Sequence, residues 1–123
     1  MYSELIADHF MDPGFVGDVE NPALEFEIGN SVCGDRIRVQ AGVTDGTVSE
    51  IAYRAWGCAT SVATGDIFCE SVKNTALADI ASRTPEQIEA MLGELEPSQH
   101  HCVHILTEMH QSLLAEAQTQ GVI

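Results

Sequence analysis

Between Leu24 and Trp56 the chain holds three stretches of strand length, two of which alternate apolar with polar residues. Leu24-Glu25-Phe26-Glu27-Ile28 alternates apolar with acidic, Arg36 to Val43 sets Ile37, Val39, Ala41 and Val43 on one side, and Thr47 to Trp56 is rich in β-formers. Alternation of period two predicts strands with one buried and one wet face. Thr44-Asp45-Gly46 supplies hairpin-turn chemistry, and Gly29 to Gly34 reads as a loop. Two tight connections predict an antiparallel meander of three strands.

The flanking segments follow the helical period instead. Ser3 to Phe10 predicts a short helix capped by Ser3 and stopped by Asp12-Pro13-Gly14. Gly57 breaks the third strand, and Ala59 to Val72 predicts a helix with Val62, Ala63 and Cys69 among its apolar positions; Gly65 inside it costs about 1 kcal/mol. Asn74-Thr75 is expected to cap a short helix through Ala81. Thr84-Pro85-Glu86-Gln87 is a strong helix start, because Thr caps, Pro suits the first turn and Gln closes the box; that helix is expected to end near Gly93. The last helix begins at His100 or His101 and runs to about Ala117, with Cys102, Leu106, Met109 and Leu113 in one stripe. Helices on one face of a small three-stranded antiparallel sheet make a two-layer α+β domain. At 123 residues, 45% of them hydrophobic, the chain is expected to form one domain over 1–123 with a core of its own.

Charge narrows the function. Nineteen Asp and Glu against five Lys and Arg give a formal net charge of −14. The five cations, Arg36, Arg38, Arg54, Lys73 and Arg83, are scattered and make no basic stripe for nucleic acid; an anionic membrane surface repels the chain. Met1-Tyr2-Ser3-Glu4-Leu5 has no basic leader, and no apolar run reaches the roughly 18 residues of a membrane span. A cytoplasmic protein is expected, whose four cysteines are metal ligands, reactive thiols or core filler rather than disulfides.

In a meander, the end of strand one, the start of strand two and the end of strand three share one edge of the sheet. Topology therefore brings Cys33, Asp35 and Cys58 together, with Gly34 and Gly57 permitting sharp turns beside the cysteines. Cys58 precedes a helix, whose N-terminal dipole favours thiolate. A fourth group must come from elsewhere, and His101-Cys102 sits at the start of the last helix, another position that favours thiolate. Three thiolates, an imidazole and a carboxylate form a soft site suited to zinc or to iron–sulfur chemistry. That is more than the four groups a tetrahedral metal takes. Cys69 lies about three helical turns beyond Cys58, ~16 Å along the axis, and is expected to be core. His100 and His104 are spaced to bind a metal from one helix face, although a solvated helix start accounts for them more simply. His9 is expected to cap or pack, His110 to face solvent, and Trp56 to lie in the core. Asp35 has the plainer alternative of ending its loop.

At these residues the sequence resembles the U-type iron–sulfur cluster scaffold proteins, IscU and the N-terminal domain of NifU. The stretch Tyr2, Asp8-His9-Phe10-Met11-Asp12-Pro13 and Val16-Gly17 is similar to the family's opening. Val32-Cys33-Gly34-Asp35 matches its Cys-Gly-Asp motif, Gly57-Cys58-Ala59 its second cysteine motif, and His101-Cys102 its third. The resemblance implies a non-enzymatic scaffold that receives sulfur from a cysteine desulfurase, assembles a 2Fe–2S cluster from that sulfur and iron, and passes it to carriers or apo-proteins. It implies that Cys33, Cys58 and Cys102 hold the cluster and accept sulfur, with Asp35 and His101 as auxiliary ligands and Zn²⁺ as an alternative occupant. Where the family carries Leu-Pro-Pro-Val-Lys to dock a dedicated chaperone, this chain reads Leu95-Glu96-Pro97-Ser98-Gln99, so that partnership is not expected. The competing readings are a zinc-bound sulfur-transfer protein, whose family branch carries an insertion with no room between Cys58 and Cys102 here, and a structural zinc domain.

Overall fold

The alternating segments do pair as a meander. The computed structural model describes residues 4–30, 35–57, 59–93, 95, 97 and 100–122, and for Leu5, Asn30, Asp35 and Thr60 the backbone alone. Strands β1 (Leu24–Asn30), β2 (Asp35–Thr44) and β3 (Thr47–Trp56) form an antiparallel sheet in the order β1-β2-β3. β1 runs on to Asn30, through Gly29, which the sequence assigns to the loop. At the hairpin, Thr44 pairs with Thr47, and Asp45 and Gly46 take φ of 52° and 76°, the two positive values that a two-residue turn between twisted strands requires.

The register sorts the side chains. Phe26 faces Val39 and Tyr53, and Ile28 faces Ile37 and Ala55, toward the helices. Glu27, Arg38 and Arg54 form the next row, on the outer face. Two neighbouring arginines repel, and Asp18 from the segment before β1 lies against both: its carboxylate accepts from Arg54 Nε (3.0 Å) and Nη2 (2.9 Å) and from Arg38 Nη2. The hydrogen bond from Arg54 is the main reason the Asp18 carboxyl is held below its usual pKa.

Helices α1 (Glu4–Met11), α2 (Ala59–Val72), α3 (Leu77–Ala81), α4 (Pro85–Ala90) and α5 (His101–Thr119) complete the α+β fold. The core lies between the sheet and this helical layer. Ile37, Val39 and Tyr53 from the sheet meet Phe68 and Val72 of α2 and the stripe Cys102, Leu106, Met109 and Leu113 of α5, all buried. β3 is an edge strand, but its edge is covered. Tyr53 N–H donates to the Phe15 carbonyl (3.0 Å) and Gly17 N–H to the Tyr53 carbonyl (2.9 Å); further along, Asn74 N–H donates to the Val48 carbonyl (2.7 Å). Such cover blocks pairing with another chain. Among the described residues no helix is long and apolar enough to cross a membrane.

Four local expectations need correcting. Trp56 is 42% exposed rather than core. It pairs with Arg36, one residue past the inward Ala55, so strand parity turns it outward, where the Arg36 guanidinium lies 4.1 Å above its ring. His110 is buried rather than exposed, on the same side of α5 as Leu106 and Met109. The helix from Thr84 ends at Ala90, short of Gly93, although its capping box forms as expected. The cap of α3 is Ala76, without a side-chain bond, because Asn74 adopts φ 62° and Thr75 accepts from Val48 N–H, so both are used in pairing with β3. Ser3, expected to cap α1, lies outside the described residues.

Candidate functional site

Sheet register determines where the site is built. Asn30 pairs with Asp35, and Arg36 pairs with Trp56. The connection from β1 to β2 and the corner from β3 into α2 therefore leave the sheet at one edge. Gly57 makes that corner with φ 143°, a value that a side chain disfavours. Cys33 and Cys58 fall within these two connections in sequence but lie outside the described residues, and Asp35 is described by its backbone, the first residue of β2.

The third motif is described in full. α5 opens with His101, and His101 is exposed while Cys102 beside it is completely buried. The His101 ring reaches back so that Nε2 lies 3.9 Å from Cys102 Sγ, giving one nitrogen and one sulfur donor at the same helix end. His100 and His104 are both exposed, as a solvated helix start requires. Among the described residues no three His, Cys, Asp or Glu side chains are arranged to hold a metal ion.

Cys69 belongs to the core. It is completely buried, and burial first, then the charge of Asp66, push its thiol pKa well above the ordinary value. A thiol kept protonated in this way is a poor ligand and nucleophile.

Asp66 is not among the residues singled out by the sequence motifs. It sits in the middle of α2 and is 1% exposed. Its Oδ1 accepts from Gly14 N–H and Phe15 N–H, both at 3.0 Å, and its Oδ2 lies 2.6 Å from His9 Nδ1. The other nitrogen of His9 lies 3.0 Å from Glu70 Oε2. His9 does pack, as expected, and it does so between two carboxylates. The available signal was an aspartate within the apolar run Val62 to Phe68: a buried carboxylate must be paired, and the chain has few cations to pair it.

Comparison with known proteins gives a consistent answer. The model of the NifU-like N terminal domain family matches residues 1–119. An iron-sulfur cluster assembly scaffold protein IscU of Archaeoglobus fulgidus is 30% identical over 108 residues, covering 88% of this chain and 71% of the relative. The IscU of Escherichia coli is 27% identical over 119 residues, covering 94% of this chain and 92% of that one. In fold, the chain is similar to a NifU-like N-terminal protein from Brucella abortus, with a TM-score of 0.72 at 15% identity, covering 97% of this chain and 93% of that one. A putative scaffold protein for the SUF system of Fervidobacterium islandicum gives a TM-score of 0.62 at 20% identity, covering 98% and 94%. The sheet, the helical layer and the whole-length family match agree, and this chain belongs to the NifU-like N-terminal domain family, the U-type iron–sulfur cluster scaffold proteins.

Proposed function

We propose that this protein is a scaffold on which an iron–sulfur cluster is assembled and from which it is passed on, with no turnover of a small molecule. The observation that carries this reading is the family match over residues 1–119, and the three cysteine motifs present in order at Cys33, Cys58 and His101-Cys102 support it. The cluster is cargo, a 2Fe–2S unit held by Cys33, Cys58 and Cys102, with Asp35 and His101 as auxiliary ligands that share the remaining position. Thiolates suit this work because they bind iron and accept sulfane sulfur alike. Sulfur arrives from the persulfide of a cysteine desulfurase. Each sulfane sulfur needs two electrons to become bridging sulfide, so an external reductant takes part. Asp35 is the hard ligand among soft ones and forms the weakest bond to iron, which suits entry and release. A cytoplasmic protein serving carriers or apo-proteins is the matching biological setting.

The test is anaerobic reconstitution with ferrous iron, sulfide and thiol, followed by visible absorption. Cys33→Ser, Cys58→Ser and Cys102→Ser should each lose most of the cluster absorption, and Cys69→Ser should retain it. Absence of a cluster in the wild type, with stoichiometric Zn²⁺ and transfer of labelled sulfur from a desulfurase, would replace this reading with a zinc-bound sulfur acceptor.

A further inference from the structure

We propose that Asp66 is a positioning residue for the connection between β3 and α2, in which the sequence places Cys58: it braces the two arms that end at Gly57 and begin at Ala59. The inference rests on the scaffold reading above and adds a residue outside the cysteine motifs.

β3 ends at Trp56 and continues into Gly57, and α2 begins at Ala59. Gly57 turns the backbone there with φ 143°, and non-covalent contacts set the angle between the arms. Beyond the core packing of Phe68 and Val72 against the sheet, two features near the corner stiffen it. The first is direct packing. A Cβ built on Gly65 of α2 would stand 3.1 Å from Tyr53 Cδ2, so the Tyr53 ring lies against the helix backbone, and Tyr53 is 1% exposed. The second is a polar clasp through the segment after α1. Asp66 holds the N–H groups of Gly14 and Phe15, and the same segment takes both backbone groups of Tyr53, the N–H through Phe15 and the carbonyl through Gly17. The clasp thus joins a point five residues before Cys58 to a point eight residues after it. Asp66 is the member of the clasp that α2 supplies. Its other oxygen faces His9, which ties α1 to the same point, and Glu70 one turn along α2 engages the far side of the His9 ring. A buried carboxylate with three partners is a rigid anchor, since loss of any partner exposes the penalty of burying its charge.

Asp66→Ala removes the clasp and leaves the Tyr53–Gly65 contact. Amide hydrogen exchange at residues 57–60 should then rise at least tenfold, while the amides of Leu106 and Met109 in α5 stay within twofold. In parallel, titration with Co²⁺ alone, followed by thiolate-to-cobalt charge-transfer absorption, should show at least fivefold weaker binding. Asp66→Asn keeps an acceptor for Gly14 and Phe15 but not the charge facing His9, and should fall between wild type and Asp66→Ala in both measurements. If Asp66→Ala does not fold, Asp66→Asn decides, with a selective threefold rise in exchange and a twofold loss of Co²⁺ affinity required. Exchange at 57–60 that is unchanged, or that rises equally with the α5 amides, overturns the proposal. Unchanged Co²⁺ affinity overturns it as well. A wild type without the charge-transfer band removes the scaffold reading instead, and the two failures are thereby distinguished.

Discussion

His110 makes stability depend on pH in a direction set by its surroundings. It is 3% exposed, its Nδ1–H donates to the Leu106 carbonyl at 2.8 Å, and its Nε2 accepts from Arg83 Nη1 at 3.1 Å. Its ring meets Phe68 edge-on, with centroids 5.0 Å apart. Arg83 is permanently a donor, so Nε2 must remain bare; a proton there would set N–H against guanidinium. Burial is the main cause that lowers the pKa below 6.5; the hydrogen bond to the Leu106 carbonyl opposes it, and the Arg83 charge adds a still smaller lowering. As pH falls the unfolded chain takes up the proton first. The stability this residue contributes is therefore present above about pH 6.5 and is lost as pH falls from there toward the lowered folded pKa. The limiting slope is about 1.4 kcal/mol per pH unit, so between pH 7.5 and 5.5 the loss reaches at most about 1.4 kcal/mol. His110→Gln supplies an acceptor for Arg83 and does not titrate. Urea unfolding at both pH values should show wild type losing more stability than the variant, by up to about 1.4 kcal/mol. Equal losses in the two proteins would refute the argument.

Three further outcomes follow from the packing and the charge. Thr84→Ala breaks the capping box of α4, in which the Thr84 hydroxyl accepts from Gln87 N–H and the Gln87 side chain accepts from Thr84 N–H, and should lower the urea midpoint by the equivalent of about 1 kcal/mol. Phe68→Ala, at a fully buried ring, should cost about 3–5 kcal/mol, whereas Trp56→Ala, at a half-exposed ring holding one Arg36 contact, should cost about 1 kcal/mol by the same assay. With a net charge of −14, association with the proposed desulfurase should slow as salt rises from low to physiological strength, and a stopped-flow on-rate indifferent to salt would remove the electrostatic attraction.

Local chemistry was enough to determine much of this protein. Period-two alternation marked the first two strands and β-former content the third, and Asp45-Gly46 marked the turn because its two positive φ values need such residues. The capping box gave the start of α4, and the stripe from Cys102 to Leu113 gave the buried side of α5. The three cysteine motifs, read together, pointed to the family that the match over residues 1–119 shows. What only the tertiary structure decided is how polar groups are paired across the chain. His110 looks like a surface residue in sequence, and only the arrival of Arg83, 27 positions away, gives its buried nitrogen a donor. Trp56 looks like core, and only its register opposite Arg36 shows which face it takes. Asp66 is unremarked in sequence because its partners, His9, Gly14 and Phe15, lie more than 50 positions away. Burial patterns are periodic and therefore local, whereas the satisfaction of a buried charge depends on which distant donor the fold delivers to it.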